Sequence, residues 1–250
     1  MKKATFTIAM LTLLSCGALQ AQNTISLRFG GIMPTSDYAD VMADYSNDVL
    51  RYGLVDNAKK GGAGMGLTAG VQARFGVKSV SGLGIIVSGD VFFNSTNSDV
   101  SDYFEDFVDD NESSTREISV TTPVYFQIPL LVGLNYTYDL KDNIAIYGEG
   151  GIGANVRILT DFELYQATAT QEQINTLGYD IATTFAFKVG AGVVFGKKYS
   201  LGIDFYNHGT AKATGEETRE VNGVTQSGTQ NFKGGKITGT NVALRFGINF

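Results

Sequence analysis

Hydrophobic and polar side chains alternate strictly along the last part of the chain. From residue 242 onward every even position is apolar, while the odd positions are small or polar. A repeat of two residues is typical of a β-strand with one apolar face and one polar face. We therefore predict that the segment 242–250 forms such a strand.

The same alternation recurs in seven earlier segments, which begin near residues 25, 65, 83, 126, 144, 185 and 199. Short connections at 78–81, 139–142 and 196–198 alternate with long ones at 34–62, 94–117, 158–180 and 212–236. Strict sorting of short and long connections is typical of membrane barrels with short periplasmic turns and long extracellular loops. The sequence thus predicts an all-β fold, an eight-stranded antiparallel up-and-down transmembrane β-barrel with four long extracellular loops and three short periplasmic turns.

Two details modify this picture. The apolar residues of 100–108 recur at helical spacing, which predicts a short amphipathic helix in the second long loop. Pro129 falls inside the fourth strand and removes a ladder donor, so we expect a bulge there. The alternative fold is a soluble β-sandwich or a lipocalin-like barrel, whose connections need not sort by length.

The first residues of the chain have the pattern of an export signal. A positive start, Met1-Lys2-Lys3, precedes a short apolar run and the small residue Ala21. This pattern predicts a signal peptide at 1–21 and a barrel domain at 22–250. A lipoprotein-like box ending at Cys16 leaves lipidation of that cysteine as an open alternative.

Composition excludes several classes of function. A single Cys rules out a disulfide framework, and a single His removes most metal and acid–base chemistry. The net charge of −6 argues against a nucleic-acid partner, because phosphate binding needs clustered basic residues. We expect no cofactor, no metal site and no catalytic residue.

With these features the chain resembles the eight-stranded OmpA/OmpX-type outer-membrane barrels, and its segment 126–134 is similar to strands of the "porin family" barrels common in Bacteroidetes. The resemblance implies residence in the outer membrane of a Gram-negative bacterium, with both termini periplasmic and with outer-membrane lipid and lipopolysaccharide as neighbours. It also implies that the barrel-assembly machinery reads an apolar terminal signal. The residues that match this signal are Val242, Leu244, Phe246, Ile248 and Phe250.

Charged residues fall on the inward face of six predicted strands, at similar depth. They are Arg28, Asp90, Glu149, Lys188, Asp204 and Arg245. Because an eight-stranded barrel is just wide enough for its side chains, buried charges there must be paired. We predict a neutral ion-pair plug, in which Lys188 pairs with Asp204, Glu149 or both, and Arg28 and Arg245 complete the layer with Asp90.

Aromatic residues cluster near the predicted periplasmic end of the strands, where they would form a girdle at headgroup level. The residues are Phe75, Tyr136, Tyr138, Phe195 and Phe246.

Three functions follow from these patterns. The first is a structural or surface-interaction protein, not an enzyme, that contacts an extracellular ligand through its long loops. The second is a narrow porin-like channel for small solutes. The third is an outer-membrane lipid hydrolase, because 207–210 faintly resembles the His-x-Ser motif of lipid A deacylases; however, strand parity turns His208 inward and Thr210 replaces the serine.

Overall fold

A computed structural model describes residues 23–39, 62–141, 143–226 and 230–250, and this part of the chain is mostly β-structure. In chain order the strands are β1 (Thr24–Pro34), β2 (Ala63–Gly76), β3 (Leu83–Thr96), β4 (Arg116–Thr121), β5 (Tyr125–Lys141), β6 (Ile144–Leu159), β7 (Phe162–Thr168), β8 (Glu172–Tyr179), β9 (Ala182–Phe195), β10 (Tyr199–Val221), β11 (Val224–Thr225) and β12 (Gln230–Asn249). A 3-10 turn spans Ser36–Tyr38, and helix α1 spans Ser98–Asn111. The predicted signal peptide and most of the first long loop lie outside the described residues.

Eight of the described strands form a closed antiparallel ring. Its order is β1-β2-β3-β5-β6-β9-β10-β12, and β12 pairs with both β10 and β1, which closes the wall. The closing register joins Ser26 to Asn249 and Pro34 to Asn241. The predicted eight-stranded up-and-down barrel is confirmed.

The two faces of the wall differ as the alternation predicts. On β1, Leu27 and Phe29 are exposed on the outside, whereas Ser26 and Arg28 are buried in the lumen. Large apolar residues occupy the outer face of all eight wall strands; examples are Met33, Leu67, Val91, Val132, Ile152, Phe185, Ile203 and Leu244. At about 3.3 Å per residue and a tilt of about 40°, the apolar run from Ile25 to Met33 is about 20 Å tall, close to the band of membrane barrels.

The short connections and both described chain ends lie at one end of the barrel, which we call the turn end. Residues 77–82 and 196–198 form turns there, and Phe250 pairs with Ile25 through backbone hydrogen bonds. The opposite end, which carries the long connections, is the loop end. No helix in the described part of the chain is long and apolar enough to cross a membrane.

The expected bulge at Pro129 is wrong. Pairing of β5 with β6 keeps one register from Tyr125 to Asp139, and pairing with β3 resumes in the same register on either side of the proline. The β3–β5 ladder lacks only the pairs opposite Ile128 and Pro129. The missing proline donor therefore leaves the inward and outward faces of β5 unchanged.

A bulge lies instead in the middle of β10, and further register shifts fall at Lys212/Thr214 of the same strand, near the start of β2 and near the end of β5. Two residues of β10, His208 and Gly209, oppose the single residue Gly239 of β12, since the register shifts between Asn207 and Thr210. Gly209 has a φ of +76°, a backbone conformation that favours glycine. After the bulge, odd-numbered residues of β10 face inward instead of even-numbered ones.

Two of the predicted loops are largely β-structure. β10 continues to Val221, well past the expected end near 212, and pairs there with β8, which pairs with β7 and then β4. The predicted helix of the second loop is confirmed as α1, whose first turn is capped by the Asn97 side chain. α1 packs on this sheet extension, and together they form what we call the outer lobe. Its buried apolar core consists of Val100, Phe104, Ile118, Phe162, Leu164 and Leu177.

Candidate functional site in the barrel lumen

The six charged residues that the sequence singles out all lie inside the barrel. They come from six strands: β1, β3, β6, β9, β10 and β12. Each is buried, and the side chains of Lys188 and Glu149 have no exposed surface. The wall therefore brings three cations and three anions into one buried compartment, where each charge needs a partner.

Glu149 is the centre of the larger ion-pair group. Its carboxylate accepts two hydrogen bonds from Arg28, at 2.6 and 2.9 Å, and one from Lys188 Nζ at 2.8 Å. Gln72 Nε2 donates to it at 2.9 Å, and Asn135 Nδ2 donates at 3.4 Å. The bidentate arginine contact and the lysine contact are the strong charge-assisted kind. Arg28 thus reaches Glu149 across the lumen rather than Asp90.

Asp90, Arg245 and Tyr206 form a second group. Arg245 donates one hydrogen bond from Nη2 to Asp90 Oδ1 and another from Nη1 to the Tyr206 hydroxyl. The Tyr206 hydroxyl donates to the second oxygen of Asp90 at 3.1 Å. The three side chains therefore form a closed triangle of hydrogen bonds, and the guanidinium carbon of Arg245 lies 5.7 Å from the centroid of the Tyr206 ring.

Asp204 lies between the two groups and is held more loosely. Its Oδ2 is 3.6 Å from Arg245 and 3.9 Å from Arg28, while its Oδ1 has no hydrogen-bond partner among the described residues. Lys188 forms its ion pair with Glu149; no pair with Asp204 is found in the described part of the chain. Asp204 contributes a negative charge that both arginines share.

Glycines on neighbouring strands make room for these charges. Gly190 lies directly opposite both Glu149 and Asp204, and a Cβ on it would collide with the Asp204 carboxylate. Gly70 lies opposite both Arg28 and Asp90 and has the same relation to the Asp90 carboxylate. The Asp204 and Asp90 carboxylates therefore occupy space beside Gly190 and Gly70 that any larger side chain would fill.

An uncharged polar layer lies above the ion pairs, toward the loop end. His208 is fully buried and its Nε2 is 3.2 Å from Asn241 Nδ2, which in turn contacts Asn94. The ring stacks on Tyr206 and meets Phe92 edge-on. The histidine of the hydrolase-like motif is thus enclosed in the lumen, where the wall separates it from lipid.

Arg157 occupies the gap that the β10 bulge leaves in the ladder. It donates to the backbone carbonyls of Ile237 at 2.8 Å and Gly209 at 3.1 Å. Gly239, opposite the bulge, leaves the space for the guanidinium, because a Cβ there would lie 2.8 Å from it. This arginine satisfies carbonyls that the bulge frees, which no strand pattern in the sequence indicates.

The two ends of the lumen differ. At the loop end a buried cluster of Tyr38, Ala63, Tyr125 and Ile237 lies above the polar layer. At the turn end a polar recess of about 380 Å³ opens below the ion pairs, and Arg28, Gln72 and Tyr147 are among its lining residues. The ion pairs therefore lie between an open vestibule at the turn end and this buried cluster at the loop end.

The residues proposed as an assembly signal and a girdle lie on the outer face. Of the terminal set, Leu244 and Phe250 are the most exposed, and their neighbours Ala243 and Arg245 are buried. Among the girdle residues, Tyr136, Tyr138 and Phe195 are about half exposed near the turn end. Phe246 contacts Phe29 and stacks on Tyr199, an aromatic residue at the turn end that the sequence analysis omits.

Sequence reasoning missed the neutral partners of the network, Gln72, Asn135 and Tyr206. All three alternate with apolar residues and so face the lumen, which is a signal available in the sequence. Within the described residues, no cluster of His, Cys, Asp and Glu could hold a metal ion.

No protein-family model and no curated protein matches this sequence. Solved structures do match. The Neisserial surface protein A is 10% identical over 91% of this chain and 95% of that one, with a TM-score of 0.38. Ail, the attachment invasion locus protein of Yersinia pestis, is 11% identical over 93% of this chain and 100% of its own, with a TM-score of 0.36.

The outer membrane protein OprG from Pseudomonas aeruginosa is 10% identical over 92% of this chain and 97% of that chain, with a TM-score of 0.43.

Proposed function

We propose that the protein is an integral outer-membrane barrel with a structural or surface-interaction role, and that ion pairs plug its lumen. The observation that carries the plug is the network around Glu149, where two cations and two amides surround one carboxylate that has no exposed surface. An ion crossing the barrel would have to break these contacts, each of which is strengthened by burial away from bulk water.

The outer face supports membrane residence. The apolar band surrounds the wall, and water would leave it exposed as one contiguous surface far larger than a soluble monomer tolerates. In this proposal outer-membrane lipid and lipopolysaccharide cover the band, the turn end faces the periplasm, and the barrel-assembly machinery inserts the chain.

The orientation can be tested with epitope tags. A tag placed in the turn at 169–170, between β7 and β8, is expected to bind antibody on intact cells. A tag placed in the turn at 78–79 is expected to bind only after the outer membrane is permeabilised. The reverse result would place the loop end in the periplasm and contradict the proposed orientation.

Single-channel recording tests the plug. The purified barrel, inserted into a planar bilayer, is expected to show no discrete conductance steps. The Glu149→Gln variant, which leaves two buried cations without their anion, is expected to open transiently. Steady conductance of the unmodified barrel would refute the plug.

A narrow channel is the second candidate, and the vestibule favours it. The recess at the turn end already admits solvent to the level of Arg28, and the Asp204 Oδ1 above it has no partner among the described residues. The same recording separates the two functions, because a channel conducts without any substitution.

The outer lobe supports the surface role. α1 and the extension of β10, β8, β7 and β4 share a buried apolar core, so the lobe presents a fixed surface at the loop end. We propose that an extracellular ligand contacts this surface, which includes parts of the predicted loops 94–117, 158–180 and 212–236; most of the remaining predicted loop, 34–62, lies outside the described residues.

A further inference from the structure

Two lysines stand directly opposite each other on the outer wall, above the apolar band. Lys212 of β10 pairs in the ladder with Lys236 of β12. Both are exposed, while Ile237, which follows Lys236, is buried inward. The two ammonium groups therefore project from the same outward face.

Such a pair is unfavourable by itself. Like charges directly opposite each other on one face of a sheet destabilise it. Among the described residues neither lysine forms an ion pair, and the carboxylate of nearby Asp180 accepts a hydrogen bond from Thr214 instead, at 2.8 Å. The sequence has more acidic than basic residues, 25 against 19, yet no acidic side chain in the described part of the chain forms an ion pair with either lysine.

The column of residues beneath the lysines follows the polarity of a membrane surface. From the centre of the band upward, the ladder pairs Ile203 with Leu244, and Phe205 with Val242. Above them Thr210 pairs with Thr238, and their hydroxyls are hydrogen-bonded at 2.6 Å. The lysine pair comes next, at about 15 Å above Val242 along the barrel axis. Apolar, hydroxyl and cationic tiers thus succeed one another.

The neighbouring strands place the pair near the edge of the apolar surface. The backbone N–H of Asp180 donates to the carbonyl of Thr214, two residues above Lys212. The next residue, Ile181, is 67% exposed, so one large apolar side chain lies at almost this height. Lysine stems can also lie along such a surface while their charged ends stay in the polar layer.

We propose that Lys212 and Lys236 together bind a phosphate group of a lipid headgroup in the outer leaflet. One phosphate between them turns the repulsion of two cations into attraction to one shared anion, and the threonine tier below lies at the level of the headgroup's polar linkages. The site would anchor one lipid at the β10–β12 seam, directly below the outer lobe. This inference rests on the proposed function, because it requires the loop end to face the outer leaflet.

The test uses the complete barrel in neutral detergent with lipopolysaccharide, either with its phosphates intact or after phosphatase treatment. Native mass spectrometry measures the affinity of bound lipid. A lysine near an anionic surface contributes about 1 kcal/mol, which corresponds to about fivefold in affinity, so Lys212→Gln with Lys236→Gln is expected to weaken binding about 25-fold. The dephosphorylated lipid is expected to bind the double variant and the unmodified barrel equally.

The matched control removes two lysines at the turn end, Lys78→Gln with Lys198→Gln, and is expected to leave lipid affinity unchanged. Equal loss in both double variants, or no loss in either, would overturn the proposal. Displacement of the lipid by inorganic phosphate alone at millimolar concentration would also overturn it, because the site would then recognise free phosphate.

A second measurement, of the unfolding midpoint, shows whether Lys236 stabilises or destabilises the barrel with and without anionic lipid. In neutral detergent, Lys236→Gln is expected to leave the unfolding midpoint unchanged or raise it, since repulsion is removed. In vesicles of phosphatidylglycerol, the same change is expected to lower the midpoint. A lower midpoint in both media would indicate a merely structural lysine and refute the site. Insertion of the unmodified barrel into the vesicles is checked first; its failure would contradict the proposed function itself.

Discussion

At the scale of single residues, the stability of the lumen depends on how completely each buried charge is paired. Glu149 has five hydrogen bonds from four side chains, whereas Asp204 has only two distant cations. Removing one member of a buried pair leaves an uncompensated charge, which costs more than the pair itself contributes. The cost of a substitution should therefore follow the number of partners left behind.

Glu149→Gln is expected to be the most damaging neutral substitution in the network. It leaves both Arg28 and Lys188 without their anion, so we expect a loss of about 3–5 kcal/mol in the free energy of unfolding. Lys188→Met should cost less, because Arg28 still neutralises Glu149. Urea unfolding of the folded barrel in vesicles measures both. A larger loss for Lys188→Met would contradict the central position of Glu149.

Gly190→Ala tests the space beside the carboxylates. The added methyl would meet the Asp204 carboxylate and lie 3.1 Å from the Ile203 carbonyl, so we expect a loss of about 1–3 kcal/mol from overpacking. Gly31→Ala is the matched control, since a Cβ at that outward position meets nothing within 4 Å. It should be neutral or slightly stabilising in the same unfolding experiment.

At the scale of elements, the sequence predicted every strand of the barrel wall because each one separates lipid from a narrow lumen. Alternation such as Leu27, Arg28, Phe29 is forced wherever one face meets hydrocarbon and the other meets polar side chains. The depth of each charge could be counted from the strand ends for the same reason. The contact between Arg28 and Glu149 could not be counted in this way, because the two residues lie on strands that are not neighbours and meet only when the barrel closes.

Beyond the apolar band no strand separates lipid from the lumen, so the alternation of apolar and polar residues no longer predicts the strands. β7 and β8 contain Glu, Gln, Thr and Asn among their apolar residues, so their sequences have the polar composition of a loop. The bulge at Gly209 reverses the parity of β10, which hides its continuation into the outer lobe. A positive φ at a glycine has no counterpart in a hydrophobic pattern.

The outer lobe should unfold independently of the wall. Phe162 is buried in the lobe's apolar core and contacts Phe104 of α1, so Phe162→Ala removes packing worth about 3–5 kcal/mol. We expect protease to cleave this variant within 98–121 while the barrel keeps its heat-modifiable mobility on electrophoresis. Tyr165→Ala, on the opposite face of β7, is the control and should resist cleavage. Loss of the folded barrel in Phe162→Ala would show that lobe and wall fold as one unit.

At the scale of the whole molecule, the barrel inverts the arrangement of a soluble protein. Most charged and amide side chains of its wall are buried in the lumen, and most large aliphatic side chains of its wall are exposed. Hydrocarbon is the solvent that makes this arrangement stable, because it satisfies the outer face while the closed ladder satisfies the backbone. A charge introduced on the outer face should therefore cost free energy in proportion to its depth in the band.

Val132→Arg and Tyr138→Arg test this depth dependence within one strand. Both residues lie on the outer face of β5 with similar exposure, 52% and 56%, but Val132 is near the centre of the band and Tyr138 is near the turn end. An arginine at the midplane of a membrane barrel costs about 2–4 kcal/mol, and one near the interface costs about 0–1 kcal/mol. Val132→Arg should thus strongly reduce the folded fraction in phospholipid vesicles, and Tyr138→Arg should change it little. In neutral detergent micelles, where the guanidinium reaches water at either position, the difference should shrink. Equal losses in vesicles would mean that the band on β5 does not lie across a membrane, and the proposed residence of this barrel would fail with it.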